Sequence, residues 1–306
     1  MLRIVSLIAS ATEIVHALGL GPYQVGRSHE CDYPPSVFDL PVCTAPRFNV
    51  DTDSREIDRR VKNSIKDAAS VYRIFEEVLE RLEPTHILTQ SQCRVCAVSL
   101  EDVERALSKK LRTRPQVVAL EPNSLADIWN DIDRVARACG VGERGASLIA
   151  SLQQQMQDLS ANVAGRPAPS IAVIEWPEPL MAAGNWTPEL VAMANARNLF
   201  GEAGSHSPWL QWSDLIKADP DVLLIAPCGY DIKHTSREMY WLDQRPEWQS
   251  LKAVQNQKVY LADGNQFFNR PGPRVADALR ILVEVLHPTA IPPQMQGVGW
   301  EFWRAS

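Results

Sequence analysis

Apolar and polar positions along this chain fall into blocks that predict strands followed by helices, twice over. Arg3 to Ile8 is a nearly unbroken aliphatic run, as a parallel strand covered on both faces requires. Ser10-Ala-Thr-Glu13 has the S-x-x-E form of a capping box, and Ile14, Val15, Leu18 and Leu20 follow near helical spacing. Gly19 and Gly21 stop that helix, and Tyr23 to Arg27 reads as a second short strand. A charged amphipathic stretch over 54–82 predicts one helix or two. Pro84 then leads into a strand at 86–90. Gln116 to Leu120 predicts another strand and Ser124 to Cys139 another helix. This β-α alternation is the signature of parallel sheets.

From Gly142 to about Ala161 the pattern changes. Leu148, Ile149, Leu152, Met156 and Leu159 mark one face of a long helix, and the Gly- and Pro-containing stretch 165–169 breaks it. The alternation restarts with a strand from Ile171 to Trp176. Later, Lys217-Ala-Asp-Pro220 running into Val222 to Ile225 repeats the helix–acid–proline–strand arrangement around Pro84, and Lys258 to Leu261 echoes Gln116 to Ala119. Two echoes at similar offsets point to paired lobes rather than a short-period solenoid. The predicted architecture is an N-terminal α/β lobe at 1–141, a connecting helix at 142–163 and a C-terminal α/β lobe at 164–306.

Composition narrows the function classes. With 306 residues, 45% apolar and 22% charged, the chain reads as globular. Thirty-one basic against 37 acidic side chains, a net charge of −6, leave no basic stripe for nucleic acid. No apolar run is long enough to span a bilayer. The first ten residues hold one basic side chain and a short apolar stretch, too short for a signal peptide. The expected compartment is therefore cytoplasmic as the sequence stands, or extracytoplasmic if a leader was trimmed. Six cysteines are too few for a disulfide scaffold. The chain lacks a G-x-S-x-G elbow, a Walker loop, a G-x-G-x-x-G and an H-E-x-x-H, and Gly19-Leu20-Gly21 follows a helix rather than opening one. A non-catalytic protein is expected.

In open α/β sheets, ligands sit at the carboxyl ends of the strands. The loops to inspect are thus Ser28 to Pro35, Ser91 to Ala97, Pro177 to Leu180 with Ala183 to Trp186, Pro227 to Tyr230, and Asp263 to Pro273, all expected to face one cleft. From them we draw the candidate ligand contacts His29, Glu30, Cys31, Asp32, Tyr33, Gln92, Cys93, Glu175, Trp176, Trp186, Phe267, Phe268 and Arg270. Large rings there suit a flat, mostly apolar ligand, and Arg270 suits amide or carboxylate groups. Core packing is the competing reading for Trp176 and Trp186. Trp209, Trp212, Trp241 and Trp248 read as packing, and Trp300 and Trp303 as a surface tail. His29, Cys31, Cys93 and Cys96 form a plausible tetrahedral zinc set; a redox dithiol, a disulfide or buried small residues are the alternatives.

These loops, together with Val5-Ser6-Leu7, Gly184-Asn-Trp186-Thr-Pro188 and Arg270-Pro-Gly-Pro-Arg274, resemble the cobalamin-binding branch of the periplasmic-binding-protein-like superfamily, its class III helical-backbone solute-binding group. The resemblance runs from Arg3 to about Pro288. It implies two Rossmann-like lobes bridged by one helix, cobalamin or a related corrinoid held between them, and an ABC importer permease as partner. Docking on the permease would use acidic side chains, for which Glu101 and Glu104 are candidates on the first lobe. His29 or a cysteine is a candidate axial ligand to the corrinoid cobalt. Relatives of the same fold carry siderophores, haem or metal ions, so another chelate is an alternative ligand. A zinc- or iron-dependent, or thiol-dependent, enzyme on the same frame is the alternative of a different class.

Overall fold

The computed structural model describes residues 1–66, 71–92, 100–104 and 114–304. The chain forms two compact units. The first comprises Met1–Thr52, Glu56–Pro122 and Ala126–Ser151, and the second Asp53–Arg55, Asn123–Leu125 and Leu152–Ser306.

In the first unit a four-stranded sheet is built from β1 (Ile4–Ser6), β2 (Gln24–Arg27), β5 (His86–Gln90) and β6 (Gln116–Leu120), in the order β2-β1-β5-β6. Every pairing is parallel, with Val5 opposite Ile87 and Leu88 opposite Val118. Between them β3 (Thr44–Pro46) and β4 (Tyr72–Ile74) pair antiparallel as a separate two-stranded sheet. The helices Ala9–Ala17, Ser54–Lys66, Glu76–Leu82 and Leu125–Ala138 accompany the sheets. Val5, Leu7, Cys43, Leu79, Leu82, Ile87 and Val103 form a core cluster, which accounts for the apolar side chains at Val5 in β1 and at Leu7 just past it.

The helix Gly142–Ala161 begins in the first unit and ends in the second, where Leu152, Met156 and Leu159 are buried. The second unit contains β7 (Ser170–Trp176), β8 (Met181–Ala182), β9 (Arg197–Asn198), β10 (Val222–Ile225), β11 (Val259–Ala262) and β12 (Trp300–Phe302). Its sheet runs β12-β11-β10-β7-β8, with β9 also on β7. β7, β10 and β11 are parallel, whereas β8 and β12 run antiparallel at the margins. Every residue of β10 and β11 is buried, as their continuous apolar runs require. The observed class is the α/β, parallel-sheet class that the β-α alternation predicts. Among the described residues, no helix is long and apolar enough to cross a membrane.

The echo between the halves has a common local structure. Glu83 and Asp219 both close a helix in the left-handed conformation, at φ 44° and 42°, immediately before Pro84 and Pro220. A residue preceding proline is pushed out of the right-handed helical region, so the helix must end there and the next strand begins.

Two expectations need correction. Ser10-Ala-Thr-Glu13 is not a capping box: the first helix starts at Ala9 behind an uncapped Ile8, and Ser10 and Glu13 are buried inside it. Strand pairing persists through the Leu7 amide, which donates to the Leu88 carbonyl, leaving one residue before the helix must begin. The stretch over 54–82 holds two helices, as one of the two expected forms has it, with β4 between them. The C-terminal tail is no loose surface segment. It supplies edge strand β12, with Trp300 buried and its indole Nε1 donating to Glu284 Oε2 at 2.8 Å.

Candidate functional site

In the first unit the loop after β2 is held from beneath. Arg27, 8% exposed, donates from Nη1 to the carbonyl oxygens of Ser28 (3.0 Å) and Cys31 (3.2 Å), and its guanidinium lies over the Phe38 ring. The Ser28 amide donates to the Ser6 carbonyl, so the loop leaves the sheet beside the end of β1. Cys31 points inward, 1% exposed, its sulfur 3.0 Å from Thr12 Oγ1 and 3.9 Å from the Ser6 carbonyl. His29 takes the opposite role. Its side chain is 24% exposed, its Nδ1 lies 2.8 Å from Thr44 Oγ1, and its ring leans on Tyr72 at 5.5 Å between centroids. Tyr72 donates its hydroxyl to Glu30 Oε1 at 3.2 Å. Burial, reinforced by the Arg27 charge, lowers the His29 pKa to about 4. Asp32 is half-buried and Tyr33 exposed.

Further along the same sheet edge, Gln92 is half-buried just past β5. Ser91 donates to Glu121 Oε1 at 2.5 Å, joining the loops after β5 and β6. Beneath them Asp131 is buried. It accepts the Glu121 amide (3.0 Å) and pairs with Arg134 (3.0 Å), yet burial pushes its carboxyl up to about 7. Glu101 and Glu104 are exposed on the helical residues 100–104, with Val103 buried between them. Cys93 and Cys96 lie outside the described residues. Among the described residues, no group of three or more His, Cys, Asp and Glu side chains is arranged to hold a metal ion. His29 and Cys31, with only Glu30 between them, turn to different partners.

In the second unit Glu175 and Trp176 end β7 half-buried. Glu175 Oε2 accepts from Ser207 Oγ at 2.9 Å, and Ser207 Oγ accepts the Gly184 amide at 3.1 Å. Trp176 donates from Nε1 to the Ser54 carbonyl (3.3 Å), and its ring meets Tyr230 at 5.3 Å. Tyr230 in turn stacks on His234 at 3.8 Å between centroids, the rings nearly parallel. Residue type alone does not single out this Trp176–Tyr230–His234 stack. The available signal is local: Asp231 Oδ1 caps the next helix by accepting the His234 amide at 2.6 Å, which fixes where His234 sits.

Besides Cys31, four expected ligand contacts are turned inward. Trp186, Phe267 and Phe268 are all buried. Arg270, 3% exposed, donates from Nη2 to Asn265 Oδ1 at 2.9 Å and so orders its own loop. That loop closes on itself. Asp263 accepts the Gln266 amide (2.7 Å) and side chain (2.9 Å), Arg274 donates to Gln266 Oε1 (2.9 Å), and Arg274 lies over Phe267. With its polar groups spent on closure, the loop sends its rings inward. Gly264 permits this by lying so near the preceding loop that a Cβ would come 2.0 Å from the Pro227 carbonyl oxygen. A separate cavity of about 550 Å³ sits at the amino end of β11, walled in part by Trp248, Val259, Phe302 and Trp303, away from the carboxyl-end loops.

Two α/β units with such loops match a known family, whose profile, described as periplasmic binding protein, covers residues 4–265. The chain belongs to the periplasmic binding protein family. It is 24% identical over 280 residues to the vitamin B12-binding protein of Vibrio cholerae, covering 90% of this chain and 86% of that one. It is 22% identical over 292 residues to an uncharacterised ABC transporter substrate-binding lipoprotein, YvrC, of Bacillus subtilis, covering 94% of this chain and 80% of that one. Among solved structures it resembles the periplasmic vitamin B12 binding protein BtuF of Vibrio cholerae, with a TM-score of 0.64, 21% identity and coverage of 93% and 96%. It also resembles the periplasmic haem-binding protein RhuT of Roseiflexus, with a TM-score of 0.68, 23% identity and coverage of 95% and 99%. A periplasmic binding protein captures a solute without transforming it, in line with the non-catalytic reading. The resemblance drawn from the loops is thereby met at the level of the family.

Proposed function

We propose that this periplasmic binding protein captures cobalamin or a related corrinoid and delivers it to an ABC importer. The observation that carries the reading is the match over 90% of the chain to a vitamin B12-binding protein. The charge of the loops supports it. The loop after β2 bears Glu30 and Asp32 and β7 ends at Glu175, whereas Glu178 in the next loop is paired with Arg55 and Arg245 and Arg270 donates to Asn265 of its own loop. Carboxylates accept hydrogen bonds from the carboxamide rim of a corrin, but they repel an anionic ligand. Trp176 with Tyr230, and His29 with Tyr72, supply the apolar surface. Burying a few hundred Å² of macrocycle yields on the order of 10 kcal/mol gross at ~25 cal/mol per Å², before ordering costs. Delivery to an importer places the protein on the outer side of the cytoplasmic membrane, with the exposed Glu101 and Glu104 as docking points for basic permease side chains.

Haem is the second reading, favoured by the likeness to RhuT. Titration of the purified protein with hydroxocobalamin and, separately, with haemin decides between them by calorimetry and visible absorption. Micromolar or tighter binding of the corrinoid, with haemin at least tenfold weaker, is expected. Tighter haemin, or no corrinoid heat at high micromolar concentration, overturns the proposal.

A further inference from the structure

We infer that the cavity at the amino end of β11 is a further ligand site, separate from the carboxyl-end loops, and that it takes a small aromatic carboxylate. Its volume is about 550 Å³, inside the range of roughly 300–1,000 Å³ over which small-molecule sites fall. Its apolar walls come from Trp248, Val254, Val259, Phe302 and Trp303. Trp248 and Val259 are buried, Val254 and Trp303 are half-buried, and Phe302 keeps 42% of its surface exposed. Water held against such rings is displaced favourably by an apolar ligand, and a flat ring suits aromatic walls best.

Protein cores pack to the density of organic crystals, so a recess of this size needs walls that do not collapse. On one side the Trp303 amide donates to the Val259 carbonyl at 2.9 Å, which carries the β11–β12 pairing past Phe302. On the other, the short helix Lys252–Gln255 is fixed at its start by the Lys252 amide on Asp219 Oδ1 (2.8 Å) and beyond its end by the Lys258 amide on the Ala253 carbonyl (2.7 Å). Gln255 Nε2 donates to the Gln249 carbonyl at 3.2 Å, tying that helix to the turn that carries Trp248. Trp248 is itself backed by Trp212, stacked at 6.4 Å between centroids. Charge then selects the class of ligand. Arg304 lines the cavity, is exposed, and makes no ion pair among the described residues. No carboxylate is among the lining residues described; Gln249 and Gln257 supply the other polar groups. Lys258, between Gln257 and Val259, is exposed and adds a second positive charge nearby. A guanidinium meets a carboxylate through two parallel hydrogen bonds, and the glutamine amides donate as well.

The test titrates the full chain by calorimetry with three probes of one shape: 1-naphthoate, the neutral 1-naphthamide and 1-naphthylmethylammonium. Naphthoate is expected to bind with a dissociation constant of about 1 mM or tighter, and about fivefold more tightly than the amide, as one exposed ion pair allows. Arg304→Gln should bring naphthoate down to the level of the amide. Arg304→Glu should reverse the order in favour of the ammonium compound, a gain that misfolding does not produce. Protein labelled with nitrogen-15 tryptophan locates the probe. The Trp303 indole N–H resonance, assigned by its absence in Trp303→Phe, should shift as naphthoate is added. No heat with naphthoate at about 5 mM overturns the inference. So does an affinity unchanged in Arg304→Gln, an ammonium compound that binds the parent as tightly as the carboxylate, or a Trp303 resonance that does not move. Whether the protein takes a corrinoid at its carboxyl-end loops bears on none of these results.

Discussion

Replacing Arg27 by methionine should loosen the loop that carries His29 and Glu30. The guanidinium is buried, and its Nη1 serves two carbonyl oxygens, Ser28 at 3.0 Å and Cys31 at 3.2 Å, that bracket the turn. Hydrogen bonds from a charged donor contribute roughly 1.5–3 kcal/mol each, so losing both removes about 3–6 kcal/mol. Two terms offset part of that loss. Methionine keeps an apolar stem beside Phe38, and the cost of holding a charge out of water disappears. The net expectation for Arg27→Met is about 2–4 kcal/mol.

The readout must suit the unit. Eight of the nine tryptophans fall in the second unit, so their fluorescence reports poorly on this loop. Denaturant unfolding followed by circular dichroism gives the stability change, as a lower midpoint at unchanged slope. Amide hydrogen exchange gives the local change, and faster exchange is expected at the Cys31 amide, which donates to the Ser28 carbonyl. Corrinoid affinity should fall at least tenfold, because binding must then order the loop that Arg27 now holds. A loss under about 1 kcal/mol, with the Cys31 amide still protected, would falsify the claim that Arg27 shapes this loop.

Other perturbations separate the remaining arguments. Gly264→Ala should cost about 2–4 kcal/mol, since its Cβ would meet the Pro227 carbonyl oxygen at 2.0 Å; Gly229→Ala, with open space and only a φ of +77°, should cost about 1 kcal/mol. Equal unfolding midpoints for the two would refute the close-approach argument. His29, its native pKa lowered to about 4, binds fewer protons when folded than unfolded between about pH 4 and 6.5, so its stabilisation is lost as pH falls through that window. Asp131, raised to about 7, binds more protons when folded, so its contribution is lost as pH rises from about 4 to 7. Unfolding free energy measured across pH 4–7 should therefore rise less steeply with pH in His29→Gln than in the parent, and more steeply in Asp131→Asn. The same slope in all three proteins would contradict both shifts. Glu284→Ala strips the acceptor from Trp300 Nε1 and from the Gln294 and Met295 amides, and should lower stability by about 3–5 kcal/mol. Tryptophan fluorescence follows this one, and a change below 1 kcal/mol would mean the C-terminal strand does not depend on that carboxylate.

The elements of this protein were readable where one physical signal dominated. β10 and β11 are buried on both faces and so are written as continuous apolar runs, while Pro84 and Pro220 forbid the preceding helices from continuing. The misreadings come from positions where tertiary contacts decide. Ser10 and Glu13 carry the letters of a cap, but the Leu7 pairing starts the helix sooner and draws both into the interior. β4 and β12 are three residues each, and neither has a periodicity that a run so short can display. What makes β12 a strand is its antiparallel pairing with β11, and Glu284, sixteen residues earlier, anchors it by receiving the Trp300 indole.

The loops show the same division, and there it bears on function. Loop position and residue type identified His29, Glu30, Glu175 and Trp176, all of which retain some exposure. They also nominated Phe267, Phe268 and Arg270, which are buried. The difference lies in where each loop obtains its hydrogen bonds. The Asp263–Arg274 loop satisfies its polar groups largely from within, through Gln266 and Asn265, so its rings face the interior. The loop after β2 is tied from outside itself, by Thr44 of β3, by Tyr72 of β4 and by Arg27 at the end of β2. Support from behind leaves the front of that loop available. The His29 ring is anchored through Nδ1 to Thr44 of a neighbouring strand, whereas Arg270 reaches back to Asn265 of its own turn. For this protein, then, the origin of a loop's hydrogen bonds is a better guide to which of its side chains stay exposed than the aromatic or charged character of its residues.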